Sequence, residues 1–437
     1  MATVAERSLT LVCAALVAWS GYAQEPTISD TPETDLVELV TYIGSMRRAR
    51  DNLLNARDFE AALGPAEIIV SELDTAEEID VLSSAGDKIV LAYILAELGR
   101  FDEAETIYFE TIETIGEQEG EMSAALILPL RLLGRSYIGA RMFPQAIAVL
   151  EQAQDISRRN TGLFNVEQAG LIDDMTTAYL ATGDTVTAQS LQVERLEIAQ
   201  RRFGAEDPQV IPFHNSLADY YERSRLRSSA REQYEAVLGI LQSSDGSAGA
   251  ELEPLRNIAR IDLMSGEGHT EALERIESIL ATEADISPLE RGLSLAVLGD
   301  ARILEDDPEG AQGYYSQAYA LLDQHDANAL AHFAEPAMVR FVPPLSAVDR
   351  GLRSGPYAWG TIVIEFDVGE DGRVEAINRT GIEPADAIER AYVERLRQAY
   401  FRPQLVDGVP VATENVLLTH YFRYYVKEED DDEESDD

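Results

Sequence analysis

Cysteine is nearly absent: the 437 residues contain one, Cys13, close to the start of the chain. Disulfides, thiolate metal sites and cysteine nucleophiles are therefore excluded from everything downstream. Histidine is almost as scarce. His325 and His332 are the closest of the five (the others are His214, His269 and His420), and they are seven residues apart with no acidic partner motif between them. That is not the spacing of a helical metal site. Positive charge is also short, with 35 basic against 79 acidic residues and a net charge of −44. Nucleic acid and anionic lipid surfaces would repel such a chain. There is no glycine-rich phosphate loop, no G-x-S-x-G elbow and no H-E-x-x-H helix. Carboxylate pairs such as Asp173–Asp174 and Asp306–Asp307 do not stand out from a generally acidic surface. The expectation is a protein that is not an enzyme and holds no cofactor or metal.

Long apolar runs are missing except near the N-terminus, where Leu9 to Trp19 is mainly apolar. That stretch falls short of the roughly 20 residues a spanning helix needs. Arg7 precedes it, with Glu6 offsetting the charge, and Gly21 and Ala23 follow at positions −3 and −1 of a cut. This is the pattern of a signal peptide over residues 1–23, which implies export from the cytoplasm. Val12 is too bulky for a lipoprotein cleavage before Cys13. No membrane span is expected once the leader is removed; a retained leader would act as an anchor. At the other end, nine of the ten residues Glu428–Asp437 are acidic, a solvated, disordered tail by composition.

What the sequence does have is a repeat. Ala62, Ala104, Ala146, Ala188, Ala230 and Ala272 are each 42 residues apart, and Ala311 follows after 39. Nine positions before them stand Leu53, Leu95, Tyr137, Tyr179, Tyr221 and Leu263; four positions after stand Ala66, Tyr108, Leu150, Gln192, Tyr234 and Ile276. A small residue lets two helices cross closely, large ones a turn away fill the flanks, and a glycine such as Gly99 or Gly183 permits the turn. One hairpin cannot bury both of its faces, so hairpins must stack.

Leu91-Ala92, Leu95, Gly99, Phe101, Ala104 and Tyr108, and again Leu133-Gly134, Tyr137, Phe143, Ala146 and Leu150, resemble the tetratricopeptide repeat in a long, 42-residue variant. The edges depart from it: Ala66 stands where a bulky residue is expected, and Arg302 and Pro308 make the last unit look like a cap. The resemblance implies a concave groove lined by the first helix of each hairpin. Mapping by phase puts Arg131, Asp173, Asn215 and Asn257 at one groove position and Tyr93, Arg135, Thr177 and Asp219 one turn later. The candidate peptide-binding residues are Arg131, Arg135, Asp173, Asn215, Asp219 and Asn257, with the two arginines suited to a carboxylate.

Beyond Phe341-Val342-Pro343-Pro344 the period changes from 3.6 to 2. Ile362, Ile364, Phe366 and Val368 alternate with Thr361, Val363, Glu365 and Asp367, Gly369-Glu370-Asp371-Gly372 makes a hairpin turn, and Arg373 to Arg379 returns. Pro384 is expected to open a helix with Ile388, Ala391, Tyr392, Leu396, Ala399 and Tyr400 inward. A last strand from about Ala412 to Tyr425 places Val416, Leu418, Phe422 and Tyr424 on one face. Gly360, Val363, the Val368 to Val374 hairpin, Phe401-x-Pro403 and Gly408-Val409-Pro410-Val411 resemble the TonB C-terminal domain over residues 341–426. The resemblance implies a domain in the periplasm of a Gram-negative bacterium that adds an extended peptide, such as a segment of an outer-membrane protein, to its last strand. Thr419, Tyr421, Arg423 and Tyr425 form the alternate face of that strand.

The expected fold class is mainly α: an α-solenoid of helical hairpins with a small α+β (β-β-α-β) domain. The expected order is signal peptide (1–23), N-terminal linker and first helix (24–42), a solenoid of about seven units (43–330), linker (331–358), TonB-like domain (359–426) and acidic tail (427–437). The expected function is a periplasmic adaptor that binds proteins or peptides. The alternative is a TonB-type energy transducer in outer-membrane transport.

Overall fold

The computed structural model describes residues 33–76, 81–244, 247–266, 270–283, 285–346, 357–383 and 389–425. The expected signal peptide, Pro384, Ile388 and the acidic tail lie outside the described residues. The chain forms two compact units, Met1–Tyr220 and Tyr221–Asp437. Their boundary falls inside a helix and leaves no mark on the 42-residue step.

The first unit contains four helical hairpins: α1 (Glu33–Asn55) with α2 (Phe59–Thr75), α3 (Val81–Glu97) with α4 (Phe101–Glu119), α5 (Ile127–Gly139) with α6 (Phe143–Thr161), and α7 (Ala169–Thr182) with α8 (Thr185–Phe203). Helix α9 (Ile211–Arg223) spans the unit boundary. The second unit continues with α10 (Arg227–Ser243), α11 (Leu252–Ser265), α12 (Glu271–Thr282), α13 (Pro288–Leu304) and α14 (Pro308–His325). This is a tetratricopeptide-like helical repeat followed by a small β-rich region.

All seven phased alanines are buried, six of them completely. The helix crossing also matches volumes between the position four after each alanine and the position twelve before it. Gly134 faces Leu150, and a Cβ there would lie 2.6 Å from Leu150 Cδ2. Gly299 likewise lies against the Tyr315 ring. In the fourth hairpin the pair is polar: Gln192 Nε2 donates to Thr176 Oγ1 at 2.9 Å inside the core. The first hairpin inverts the sizes. Ala66 is small because Arg50 occupies the matching position, and both are fully buried.

Two local devices recur with the same step. Ser123, Asn165 and Asp207 each accept a hydrogen bond from the backbone N–H two residues on, closing a one-turn 3-10 segment that leads into α5, α7 and α9. Each satisfies a donor that the helix start would otherwise leave open. The hairpin turn uses a left-handed residue at Arg57, Gly99, Arg141, Gly183 and Arg225, with φ of 60°, 77°, 61°, 86° and 61°. Glycine is therefore used at only two of these five turns.

The C-terminal region is built on an antiparallel sheet in the order β3-β2-β7, with β2 Tyr357–Val368, β3 Val374–Glu383 and β7 Thr413–Tyr425. One face, carrying Ile362, Ile364, Phe366, Val368 and Phe422, packs on Tyr392 and Leu396 of helix α15 (Glu389–Leu396). The expected linker contains strand β1 (Ala337–Arg340), which pairs with β4 (Tyr400–Arg402). Tyr400, expected on the inner face of the helix, instead opens β4. A further hairpin, β5 (Gln404–Val406) with β6 (Val409–Val411), follows. The β-β-α-β pattern is thus extended by four short strands. None is longer than four residues, too short for a clear alternation to show in the sequence.

Candidate binding surfaces

Of the positions expected to line a groove in the first unit, the two arginines act as rungs between successive first helices. Arg131 of α5 donates through Nε to Asp174 Oδ2 of α7 at 2.6 Å, and Arg135 Nη1 lies 4.0 Å from the other oxygen of the same carboxylate. The Arg131 guanidinium covers Gly170, where a Cβ would meet Nη2 at 2.5 Å. Burial raises the Asp174 pKa while the two arginines oppose it. Asp173 accepts from Gln192 Nε2 at 3.1 Å and pairs with Arg195 at 3.2 Å. Glu97 of α3 is likewise raised by burial, against the pull of Arg135 and Arg57. Arg135 therefore has a carboxylate on either side.

The same bridge occurs at the first hairpin, where Arg47 and Arg50 of α1 grip Asp87 of α3; Arg50 and Asp87 are both buried. In the second unit, Arg256 of α11 reaches Glu290 of α13. The carboxylate that Arg131 and Arg135 hold is thus the chain's own Asp174, and a partner carboxylate would have to displace it. Asn215 and Asn257 are half-buried and Asp219 is exposed. Asp174 and Asp87, which complete these rungs, carry no repeat signature by which the sequence could have marked them.

In the second unit the last hairpin and the β-rich region share a core. Arg402 donates to Asp300 of α13 through Nε at 2.8 Å and Nη2 at 2.5 Å, and Tyr315 of α14 donates to the same carboxylate at 2.9 Å. Burial works against the Arg402 charge, but Asp300 outweighs it and the guanidinium pKa is raised. Leu405 and Phe333 complete the apolar surround with Leu295 and Leu322. The tip of the β5–β6 hairpin meets α14, where Ser316 Oγ donates to Gly408 O at 2.8 Å. Arg302 and Pro308, which made the last unit look unlike the others, sit at this end: Arg302 pairs with Glu277 and Glu305, and Pro308 occupies the first turn of α14 behind the Asp307 cap.

Strand β7 pairs with β2 on one side only among the described residues. Its register sets Trp359 opposite Arg423, Thr361 opposite Tyr421, Val363 opposite Thr419 and Glu365 opposite Leu417. Thr419 and Tyr421 are exposed, while Arg423 and Tyr425 are half-buried. The alternate face expected from the sequence is therefore the face turned away from α15. Trp359 at 66% and Leu417 at 67% exposure share it, and neither belongs to the expected set.

No protein-family model and no curated protein matches the chain. Among solved structures it is similar to the apo form of RapI, with 17% identity over 65% of this chain and 77% of that one at a TM-score of 0.44. It is also similar to aspartyl phosphate phosphatase F from Bacillus subtilis, at 15% identity, 70% and 79% coverage and a TM-score of 0.40. The C-terminal part of a tetratricopeptide-repeat-containing protein from Cytophaga hutchinsonii matches at 14% identity, 73% and 97% coverage and a TM-score of 0.33.

Proposed function

We propose that the chain is an exported adaptor: a 42-residue-repeat tetratricopeptide array that binds proteins, carrying a TonB-like domain whose last strand takes up an extended peptide at the outer membrane. Helical repeat arrays offer large binding surfaces, and a strand with an unpaired edge is a template for strand addition. The observation that carries the reading is β7 itself: thirteen residues long, pairing on one side among the described residues, with Thr419 and Tyr421 exposed along it. In the first unit Arg135, Asn215 and Asp219 are the positions proposed to meet a partner, with Arg131 and Asp173 bracing the helices behind them; in the second unit, taken by itself, the position is Asn257.

Deleting the C-terminal region is a poor test, because it would strip Arg402 and Leu405 from the last hairpin. A photo-cross-linking side chain at Thr419 in the full chain tests the idea directly. Cross-links mapping to an extended segment of an outer-membrane protein are expected; cross-links confined to folded surfaces, or none, would refute it. N-terminal sequencing of the protein from the periplasmic fraction should begin near Gln24. A cytoplasmic location would rule out the exported role.

A further inference from the structure

Three side chains of the first unit form a polar knot that the repeat itself does not require. Asp174 of α7 stands 42 residues after Leu132 of α5 and 84 after Val90 of α3, and both of those are buried apolar residues. The fold therefore accepts a hydrocarbon side chain at this phase, yet α7 places there a carboxylate that is 12% exposed. Arg131 can lie across α7 to reach it because Gly170 has no side chain to block the guanidinium. Burying such a pair adds little to stability, since desolvation offsets most of the attraction. Stability is thus a weak reason for its presence.

The hold is also incomplete. Arg131 donates to Asp174 through Nε, at 2.6 Å. Arg135 Nη1 stops 4.0 Å from the other oxygen, beyond hydrogen-bond reach. That nitrogen is buried and has no hydrogen-bond partner among the described residues. A carboxylate that is not tethered to α7 can settle between the two guanidinium groups and accept charge-assisted bonds from both. The surrounding charges are committed elsewhere: Asp173 to Arg195 and Gln192 of α8, Glu151 of α6 to Tyr179, and Arg158 of α6 to Glu194 of α8. Glu97 of α3 is the other carboxylate that acts on Arg135.

We propose that Arg131 and Arg135 form a carboxylate site in the first unit which Asp174 keeps closed, and that a partner's carboxylate occupies it by taking the place of Asp174. The ligand is a single carboxylate, of a chain terminus or of one acidic side chain, on an otherwise uncharged segment. A second negative charge would be repelled by Asp173 and Glu97 on either side. The inference rests on the reading of the first-unit groove as a binding surface and names what that surface takes.

The probe is a short peptide of alanine and leucine, acetylated at its start and ending in a free carboxylate, titrated calorimetrically into the full chain. Asp174→Asn should bind it about tenfold more tightly than the unmodified chain, because the internal competitor is gone. Adding Arg135→Gln to that variant should cancel the gain. Amidating the end of the peptide should abolish binding; one internal glutamate in the amidated peptide restores it if a side chain serves as well as a terminus. A second arm keeps Asp174 in place. Burial raises the Asp174 pKa, so acid neutralises it while a peptide ending in a sulfonate stays ionised. In a Glu97→Gln chain, which removes the other carboxylate acting on Arg135, sulfonate affinity should rise as pH falls, and Asp174→Asn should remove the rise. This arm decides the matter should Asp174→Asn fold poorly. Equal affinity with and without Asp174, equal binding of the amidated peptide, or a sulfonate affinity that ignores pH would overturn the proposal. Peptide binding that persists through Arg135→Gln would overturn it too, while leaving the groove reading in place.

Discussion

Gly299 of α13 lies against the ring of Tyr315 of α14, so that even a methyl group at residue 299 would enter the space of the ring. Tyr315 is fully buried and its hydroxyl is committed to Asp300, so the ring has nowhere to retreat. Gly299→Ala should therefore destabilise the second unit by about 1–3 kcal/mol in urea unfolding, an overpacking penalty. Gly239, in the C-terminal half of α10 with nothing within 4 Å of its would-be Cβ, supplies the contrast. Gly239→Ala should stabilise by about 0.5–1 kcal/mol through helix propensity alone.

The Arg402–Asp300 pair predicts a second asymmetry. Arg402→Met strands a carboxylate that is 11% exposed and should cost about 3–5 kcal/mol. Combining it with Asp300→Leu removes the stranded charge and should recover most of that loss. Unfolding followed by Trp359 fluorescence reads both. Equal losses in the single and double variants would show that the pair does not hold the β-rich region to the last hairpin.

The left-handed turn predicts a gain. Arg141 adopts φ 61° where Gly99 and Gly183 fill the equivalent turns. A side chain costs about 1–2 kcal/mol in that region, partly offset by the greater unfolded freedom of glycine. Arg141→Gly should raise stability by about 0.5–1 kcal/mol, measured as a higher urea midpoint with unchanged slope. The same change at an α-helical arginine such as Arg159 should lower it.

Alkaline pH should loosen the first unit. Burial and the hydrogen bond donated to Glu151 raise the Tyr179 hydroxyl from 10.0 to about 12. Below pH 10 the phenol is neutral both folded and unfolded, and its contribution is intact. Between pH 10 and about 12 the unfolded chain ionises first, so stability falls as pH rises. Tyr179→Phe should flatten that part of the pH–stability curve. An unchanged curve would mean the hydroxyl is not held by Glu151 in solution.

The repeat was legible because its cause is local. A small residue at a helix crossing is required wherever two helices approach closely, so Ala62 to Ala311 betray themselves by phase, and all seven are buried. Ala66, which looked like decay at the edge of the array, could not be read correctly from its own position. It is small because Arg50, sixteen residues earlier, fills the volume, and Arg50 is there because Asp87 on the next hairpin neutralises it. The same reason governs the groove. Phase could place Arg131 and Asp173 on a common face, but it could not say that Asp174 and Arg195 already occupy their charges, since pairing depends on how neighbouring helices are spaced.

The sequence by itself determined the helix pairs, their crossings and the change of period that opens the sheet, because each follows from side chains within a few turns of one another. Only the tertiary structure decided where the repeat divides into two compact units and that Arg402 finds Asp300 102 residues away. It also decided that Trp359 and Tyr421 are both exposed on the face of the sheet turned away from α15. These depend on register and docking between distant segments, and hydrophobic periodicity, which records only which face of an element is buried, carries no information about which distant partner buries it.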